Sequence, residues 1–386
     1  MVQFVVDKKA LGEAAIMLAQ VANLKSVGAA PSESSRIYLT PTTMTLVNSN
    51  EANCIMVEHI PIKVTNGDIS SHVEQAYMIN TKKFSSIIKG STVNVNFLIT
   101  ESKVSLGEGS RKFDLAIFNI PKQELPAITL FDHKIEIKHI LKNLIDTDLI
   151  TANATNITEL SGTLFTKNLM LASDRLSALY IENGGLFAGV ALKEDIVITT
   201  DLFSTCLTKT KETDAFIGFT EDSQSVVLKF GNITLTKRIL TSNFPKENMM
   251  GYVSKVRKGI ERGRIKATVN LKEFMEKLHE VKEIVEAENY HVKFQRDGTI
   301  SIESSSVKSG ADGTVHINAT VNLSEELGDV IGGKFSFLHL ELFGKLFSGE
   351  NTIELYSSVA TQEQTHVLQY LAVVTGGKMF FCTPKV

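Results

Sequence analysis

The residues that could carry out chemistry in this chain are scattered, and none of them forms a recognisable catalytic group. Gly328–Phe335 approaches a phosphate-binding loop, but that loop needs Ser or Thr after its lysine to hold Mg²⁺, and Phe335 follows Lys334 here. The nine histidines occur without the HxxxH or HExxH spacing of a zinc site. Motifs of the Gly-x-Ser-x-Gly and Cys-x-x-Cys types are absent. We therefore expect a protein that is not an enzyme and uses no cofactor or metal.

Composition indicates a globular protein of the cytoplasm. Hydrophobic residues make up 43% and charged residues 22% of the 386 residues. Cys54, Cys206 and Cys382 are far apart, as buried thiols in a reducing compartment are. The first residues show no secretory signal, and no apolar run approaches the roughly 20 residues of a membrane span. The net charge is −3, so a nucleic-acid-binding surface requires a local concentration of positive charge.

A stretch that occurs three times organises the chain. In each copy, alternating apolar positions typical of a strand end give way to the spacing of a helix; in the third copy the strand positions are Phe335, Phe337 and, less cleanly, His339. The helical anchors Phe84, Phe203 and Leu342 lie 119 and 139 residues apart. A unit that recurs at about a third of the chain length predicts three similar domains. The copies are Tyr77–Lys89, Ile196–Lys209 and Phe335–Phe347.

Each third of the chain predicts two helices and about six to eight strands, arranged as antiparallel meanders. In the first, Asp7 can cap a helix whose apolar face begins at Leu11. Pro126 and Pro245, which end the first two thirds, are again 119 residues apart. The fold class is therefore α+β, and we expect domains at 1–126, 127–251 and 252–386.

In order and spacing, these segments resemble the bacterial type of DNA polymerase sliding clamp, the β subunit of DNA polymerase III. The resemblance spans the whole chain through short motifs. They are Gly109–Leu115 followed by Pro126, Leu160–Phe165 followed by Leu171–Asp174, Asn243–Pro245, and Phe380–Val386.

The chain also departs from that family. Arg175–Ser177 stands where the family has Gly-His-Arg, and Lys246–Met250 replaces its tyrosine and arginines. The proline of the carboxyl-terminal tail is displaced by one position. The resemblance is therefore to a divergent clamp, of the kind that a bacteriophage or mobile element encodes.

The resemblance implies a DNA polymerase processivity factor that is a head-to-tail homodimer. Six domains would close as a ring around duplex DNA, with helices lining the hole. Lysines that face phosphates hold DNA without reading its sequence. The implied partners are duplex DNA, a replicative DNA polymerase and a clamp loader. Ordinary solvated helix lysines are the alternative for each candidate, which are Lys8, Lys9, Lys25, Lys82, Lys83, Lys138, Lys142, Lys209 and Lys211.

The densest basic stretch precedes the third domain and is a further candidate for contact with the DNA backbone. A solvated linker is the alternative interpretation. The helix that follows, from Phe274 to Val285, is rich in glutamate and should repel DNA unless its acidic side faces outward or toward another chain. The basic candidates are Lys255, Arg257, Lys258, Arg262, Arg264 and Lys266.

The resemblance also implies a pocket between the second and third domains that receives a short apolar peptide from partner proteins. A charged residue at Phe381 or Met250 is expected to abolish partner binding and to leave the protein folded. Simple core positions are the alternative for Leu176, Met249 and Phe381. The implied walls are Leu160, Ser173, Arg175, Leu176, Ala178, Pro245, Met249, Met250, Phe380, Phe381, Cys382, Thr383 and Pro384.

Ring closure is implied where the first domain meets the third domain of another copy. Phe113 and Leu115 would lie on one side of that contact, and Ile284 and Val285 on the other. The competing hypothesis is a three-domain binding or transcription-accessory protein of the same fold that does not encircle DNA.

Overall fold

The computed structural model describes most of the chain. The ranges are 1–24, 32–154, 157–188, 190, 192–241, 243–285, 287–306, 310–325, 327, 330–358 and 369–384.

Helices and antiparallel strands alternate along the chain, as an α+β fold requires. The helices are α1 (Lys8–Asn23), α2 (Thr81–Gly90), α3 (Ile137–Thr151), α4 (Asp201–Leu207), α5 (Lys246–Arg262), α6 (Leu271–Val285) and α7 (Phe337–Leu346). The first strands are β1 (Val2–Val6), β2 (Ser34–Leu39), β3 (Thr43–Ser49), β4 (Asn53–Asn66), β5 (Gln75–Asn80), β6 (Val95–Ile99), β7 (Lys103–Glu108), β8 (Arg111–Ala116) and β9 (Phe118–Pro121). The middle strands are β10 (Ile128–Glu136), β11 (Thr163–Phe165), β12 (Leu169–Ser173), β13 (Ser177–Glu182), β14 (Ile196–Ile198), β15 (Asp214–Thr220), β16 (Ser225–Phe230) and β17 (Ile233–Arg238). The last are β18 (Ile265–Asn270), β19 (Asn289–Gln295), β20 (Thr299–Ser306), β21 (Ala311–Leu323), β22 (Val330–Ser336), β23 (Thr352–Ser358), β24 (Tyr370–Thr375) and β25 (Lys378–Cys382).

The first compact unit consists mainly of Met1–Ile145 and Ile198–Thr241. Its 13-stranded sheet follows the order β10-β15-β16-β17-β4-β1-β6-β7-β8, with β2, β3, β5 and β9 joined beside this path. Helix α1 begins as the sequence predicts, because the Asp7 carboxylate accepts a hydrogen bond from the Ala10 amide at 3.1 Å. Its buried face packs against α2, where the Ser85 hydroxyl donates to the Ala15 carbonyl.

The second compact unit is formed mainly by Asp146–Ala188 and Ser242–Val386. Its 12-stranded sheet runs in the order β14-β11-β12-β13-β25-β24-β23-β18-β21-β20-β19-β22. The segment predicted as the second domain contributes strands to both units. The predicted boundary at 251 falls inside α5, and the division into domains at 126 and 251 stays a prediction.

The threefold repeat is visible in the strand pairing. The same four-strand arrangement occurs as β1-β6-β7-β8, as β10-β15-β16-β17 and as β18-β23-β24-β25. In all three copies of the repeated stretch, a strand leads directly to a helix: β5 to α2, β14 to α4, and β22 to α7. The anchors Phe84, Phe203 and Leu342 are all buried. One detail was wrong, because Phe337 and His339 begin the third helix instead of ending its strand.

Helix α5 was not predicted, although its sequence carries a helical signal. Met249, Val253 and Val256 are buried at helical spacing. The helix ends where Gly263 adopts φ 59°, a left-handed conformation that glycine accommodates without a Cβ clash. Two glycines within the helix and its many lysines made this stretch resemble a linker. Four of the basic candidates therefore lie on α5 and Lys266 lies on β18, while Arg264 lies in the turn between them.

Candidate functional site

Most of the predicted DNA-contact lysines lie near helix ends. Lys8 and Lys9 open α1, and Lys82 and Lys83 open α2, where the Asn80 side chain caps the helix. Lys138 and Lys142 lie on exposed positions of α3, and Lys138 Nζ is 3.0 Å from the Glu136 carboxylate. The repeat therefore places lysines on three helices of the first unit.

Two of the predicted lysines are not on the expected helix. Helix α4 ends at Leu207, so Lys209 and Lys211 occupy the exposed loop before β15. The buried residues of α4 end at Leu207, and the next residues, Thr208 and Lys209, are exposed to solvent. Lys25 lies outside the described residues, as do Gly328 and Asp329 of the loop-like segment.

The basic stretch divides into residues held by the protein and residues that face solvent. The Arg257 guanidinium lies 4.5 Å from the centre of the Tyr180 ring and pairs with Glu182. Lys266 is half-buried on β18, with Nζ 2.6 Å from Glu354. Lys255, Lys258 and Arg262, in contrast, are exposed on α5. Arg264 is exposed in the turn between α5 and β18.

Some of the residues predicted to form the pocket meet where β13 pairs with β25. These strands pair antiparallel, with Ala178 opposite Phe381 and Ser177 opposite Cys382. Beyond the strand, the Thr383 amide donates to the Leu176 carbonyl at 2.7 Å and fixes the path of the chain toward Pro384. Residues separated by about 200 positions in sequence thus meet at one end of one sheet.

The turn between β12 and β13 is held by a buried carboxylate. Asp174 Oδ1 accepts hydrogen bonds from the Leu176 amide at 3.1 Å and the Ser177 amide at 2.7 Å, while Oδ2 lies 3.0 Å from His339 Nε2 of α7. Burial would raise the pKa of Asp174, but the hydrogen bond and charge of His339 outweigh it and hold that pKa below its ordinary value. The same turn places Arg175 at φ 82°. The sequence pointed to Asp174 but not to its partner His339.

Burial separates the pocket residues into a floor and a rim. Phe381 is only 3% and Met249 only 7% exposed, and Phe380 packs against Phe343 of α7 with ring centres 5.0 Å apart. Leu160, Ser173, Ala178 and Cys382 are also buried. The accessible rim consists of Arg175, Leu176, Pro245, Met250, Thr383 and Pro384. A charge at Phe381 would therefore disturb the core, and we do not expect that variant to stay folded. A charge at Met250, on the accessible rim, avoids this problem.

The predicted dimer residues of the first unit lie on an edge strand. Within the described residues, β8 pairs with β7 alone and ends the sheet order. Phe113 on this strand is 45% exposed, whereas Leu115 is buried. A cavity of about 570 Å³ lies beside the strand. Its lining combines apolar and basic side chains, namely Lys82, Lys83, Ser86, Ile87, Lys112, Phe113, Asp114 and Leu115.

The predicted dimer residues of the second unit flank a second open edge. Ala311–Asn318 of β21 pairs with β20, and in the described part of the chain no other strand joins that half of β21. Helix α6 ends against this strand, since a Cβ on Gly313 would lie 2.7 Å from Val285 Cγ2. Ile284 is 58% exposed, and Val285 is buried.

A buried ion pair holds the corresponding strand junction in the first unit. The last strand of one repeat, β17, pairs with β4, just as β25 pairs with β13. Lys237 of β17 is 1% exposed, and its Nζ lies 2.6 Å from Asn53 Oδ1 and 2.8 Å from Asp201 Oδ1 of α4. Burial would raise the pKa of Asp201, but Lys237 and the hydrogen bond from Thr199 hold it below its ordinary value.

Chemistry of other kinds has little support in the described residues. Within the described ranges, no group of three or more potential ligands is placed to hold a metal ion. None of the helices described has the length and apolar character of a membrane span. Cys206 and Cys382 are free, buried thiols, and burial raises the pKa of each.

Solved structures with the same architecture are bacterial replication proteins. The sliding clamp of Bartonella birtlesii superposes with a TM-score of 0.77 at 13% identity, covering 100% of both chains. The Bacillus subtilis clamp gives 0.76 at 14% identity, covering 100% of this chain and 99% of that one. The chain has the fold of the DNA polymerase sliding clamp. The clamp fold is also that of the Thermotoga maritima DNA polymerase III β subunit, at a TM-score of 0.75, 14% identity and 100% coverage of both chains.

Sequence comparison alone does not find this clamp fold. No protein-family model matches the chain, and no curated protein matches it. Sequence identities to the solved clamps are 11–14%. The similarity in sequence is therefore limited to the repeat and a few short motifs.

Proposed function

We propose that this chain is a non-enzymatic DNA polymerase processivity factor, a sliding clamp that closes as a homodimer around duplex DNA. The observation that carries the proposal is the pair of open strand edges, β8 and the first half of β21. Within the chain, the last strand of a repeat joins β4 or β13, the strand that precedes the repeated stretch. Strand β8 is the last strand of the first repeat, and β21 is the strand that precedes the third copy of the repeated stretch. Within the described residues, these two strands are not paired with each other. Pairing β8 of one copy with β21 of another repeats the same junction and closes a ring.

Charge and apolar exposure support this head-to-tail contact. The β8 edge presents Phe113 among lysines, Lys82, Lys83 and Lys112, which line one cavity. The β21 edge is flanked by exposed Ile284 and by exposed acidic groups, Glu280, Glu283 and Asp312. Opposite potentials on two mutually complementary surfaces favour association and fix its register. Lys82 and Lys83 would then serve ring closure, and the acidic face of α6 would meet another copy instead of DNA.

The first experiment tests the topological link to DNA. We expect the protein, loaded by a clamp loader, to remain on nicked circular DNA and to be lost within minutes once the circle is cut. Retention would be measured by gel filtration of the DNA before and after linearisation. Equal retention on both forms would contradict encirclement and indicate electrostatic binding only. Loss from both forms, despite a confirmed dimer and an active loader, would favour the clamp-like binding protein that does not encircle DNA.

The proposed pocket tethers the polymerase and other partners by an apolar peptide. Half-buried Leu176 and Met250 form its accessible apolar rim, above a floor of Phe381 and Met249. Methionine is flexible and polarisable, which suits a groove that accepts several peptides. Arg175 stands exposed at one side, where it could meet a carboxylate of the ligand.

Met250→Glu tests the pocket without disturbing the core. We expect this variant to lose at least tenfold in affinity for griselimycin, the molecule bound in the solved Bartonella birtlesii clamp, because the new carboxylate would be desolvated on binding. Binding would be measured by isothermal calorimetry, with the melting temperature as the check on folding. Asn248→Glu, exposed two residues earlier on α5, adds the same charge and serves as the control. Equal affinity of both variants and the wild type, or no binding by the wild type, would contradict the pocket assignment.

A further inference from the structure

Helix α5 lies on the face of its sheet opposite to α6 and α7. Phe380 packs on Phe343 of α7, and its cross-strand partner Leu179 shares that face of the sheet. Tyr180, the next residue of β13, must point to the other face, and there Arg257 of α5 stacks on it. Helix α6 lies on the same face of the sheet as α7, because Lys282 Nζ of α6 is 3.9 Å from the ring centre of Phe337 of α7.

A second contact gives the same placement and fixes the helix to the sheet. Val373 is paired with Phe380, so Tyr370, three residues earlier in β24, faces the side of α5. At Gly259 the helix approaches so closely that a Cβ would lie 2.2 Å from the Tyr370 hydroxyl. The Glu182 carboxylate binds Arg257 and also accepts from the Tyr180 hydroxyl. These contacts fix the orientation of α5 on the sheet, and therefore determine which of its residues face outward.

That outward side carries a basic stripe, which we define as Lys255, Lys258 and Arg262. All three are exposed, and no carboxylate among the described residues forms an ion pair with any of them. Tyr252 stands at the start of the stripe, 42% exposed, with Lys255 Nζ 5.7 Å from its ring centre. A helix rises about 1.5 Å per residue, so the three cations follow one line of roughly 10 Å.

The position of the stripe separates it from the proposed path of duplex DNA. DNA that runs through the proposed ring would lie on the side of this sheet that carries α6 and α7. The stripe lies behind the sheet and cannot contact that duplex. Duplex DNA in the ring therefore does not account for the basic stripe, and another ligand must be considered for it.

We propose that the α5 stripe and Tyr252 bind single-stranded DNA on the outer side of the sheet. Proteins that bind single strands combine a line of cations for the backbone with an aromatic ring on which a base stacks. An exposed tyrosine at one end of three unpaired cations is this combination. An acidic polypeptide would use the cations but has no need for the ring.

The test compares DNA binding with DNA encirclement. Fluorescence anisotropy with a labelled 20-residue oligothymidylate, at several salt concentrations, would be run on the intact protein and on K255Q/K258Q/R262Q. Three fewer phosphate contacts should reduce the slope of log affinity against log salt by about 2. Tyr252→Ala should weaken binding roughly fivefold or more without changing that slope. Retention of the triple variant on nicked circles should equal that of the wild type.

The matched control removes three positive charges from the helices of the first unit, in K8Q/K138Q/K142Q. This variant should bind the oligothymidylate as the wild type does and, because retention on circles is topological, should also be retained on them. Failure of the proposed function thus shows in the circle assay, whereas failure of the stripe shows in the oligothymidylate assay. An unchanged slope for the stripe variant would overturn the proposal. So would equal binding of a 20-base-pair duplex, or stripe-dependent binding of polyglutamate without binding of the oligothymidylate.

Discussion

Phe113→Glu is expected to convert the proposed homodimer to a monomer that still folds. Phe113 is 45% exposed on the open edge of β8, so the folded chain tolerates a charge there. In the proposed contact, the same carboxylate would be buried beside Ile284 and near the acidic end of α6. The loss of an apolar anchor at the centre of an interface costs about 2–4 kcal/mol, which is roughly 30-fold to 1000-fold in the dissociation constant.

Analytical ultracentrifugation at a series of concentrations measures this effect directly. Phe118→Glu is the matched control, because Phe118 is 71% exposed on β9 and lies outside the proposed contact. The wild-type dimer should also weaken as salt rises, since Lys82, Lys83 and Lys112 would face carboxylates. A monomeric wild type, or a Phe113→Glu protein that dimerises like the control, would exclude closure through β8.

The second large effect is expected at Lys237, which holds a strand junction from inside the core. Lys237→Met keeps the aliphatic stem but leaves Asp201 and Asn53 without the ammonium group that they share. Removing one partner of a fully buried ion pair costs about 3–5 kcal/mol of the free energy of unfolding. Because the Asp201 side chain is 28% exposed, we expect a loss toward the lower end of that range. Lys134→Met breaks a pair with Asp214 whose lysine is 60% exposed, and should cost no more than about 1 kcal/mol.

The pH dependence distinguishes the ion pair from simple packing. Because Lys237 lowers the pKa of Asp201 in the folded state, the pair stabilises the protein above the unfolded carboxyl pKa of about 3.8. That contribution is lost as pH falls through the lower folded pKa. The difference in unfolding free energy between wild type and Lys237→Met, measured in urea, should therefore shrink from pH 7 to pH 3. A difference that is the same at both values would assign the effect to packing alone.

Much of the local structure could be predicted because it depends on neighbours in the chain. The change from alternating to helical spacing located a strand followed by a helix in all three copies of the repeated stretch, although the boundary in the third copy was wrong, and the Asp7 cap located the start of α1. Helix α5 was missed because Gly251 and Gly259 and the lysines obscured the spacing of Met249, Val253 and Val256. Only the contact with Tyr370 explains why a glycine occupies position 259.

The threefold repeat, the α+β class and the absence of a recognisable catalytic motif could all be predicted from the sequence, because each follows from residue type and short-range spacing. Tertiary structure alone decided which face of the sheet carries the basic stripe and which strand edges stay open. It also decided that Phe381 is buried while Met250 is half-buried, and that His339 binds Asp174. The spacing of apolar residues indicates which side of a helix or strand is apolar. The pairing of strands about 200 residues apart then determines what each side meets.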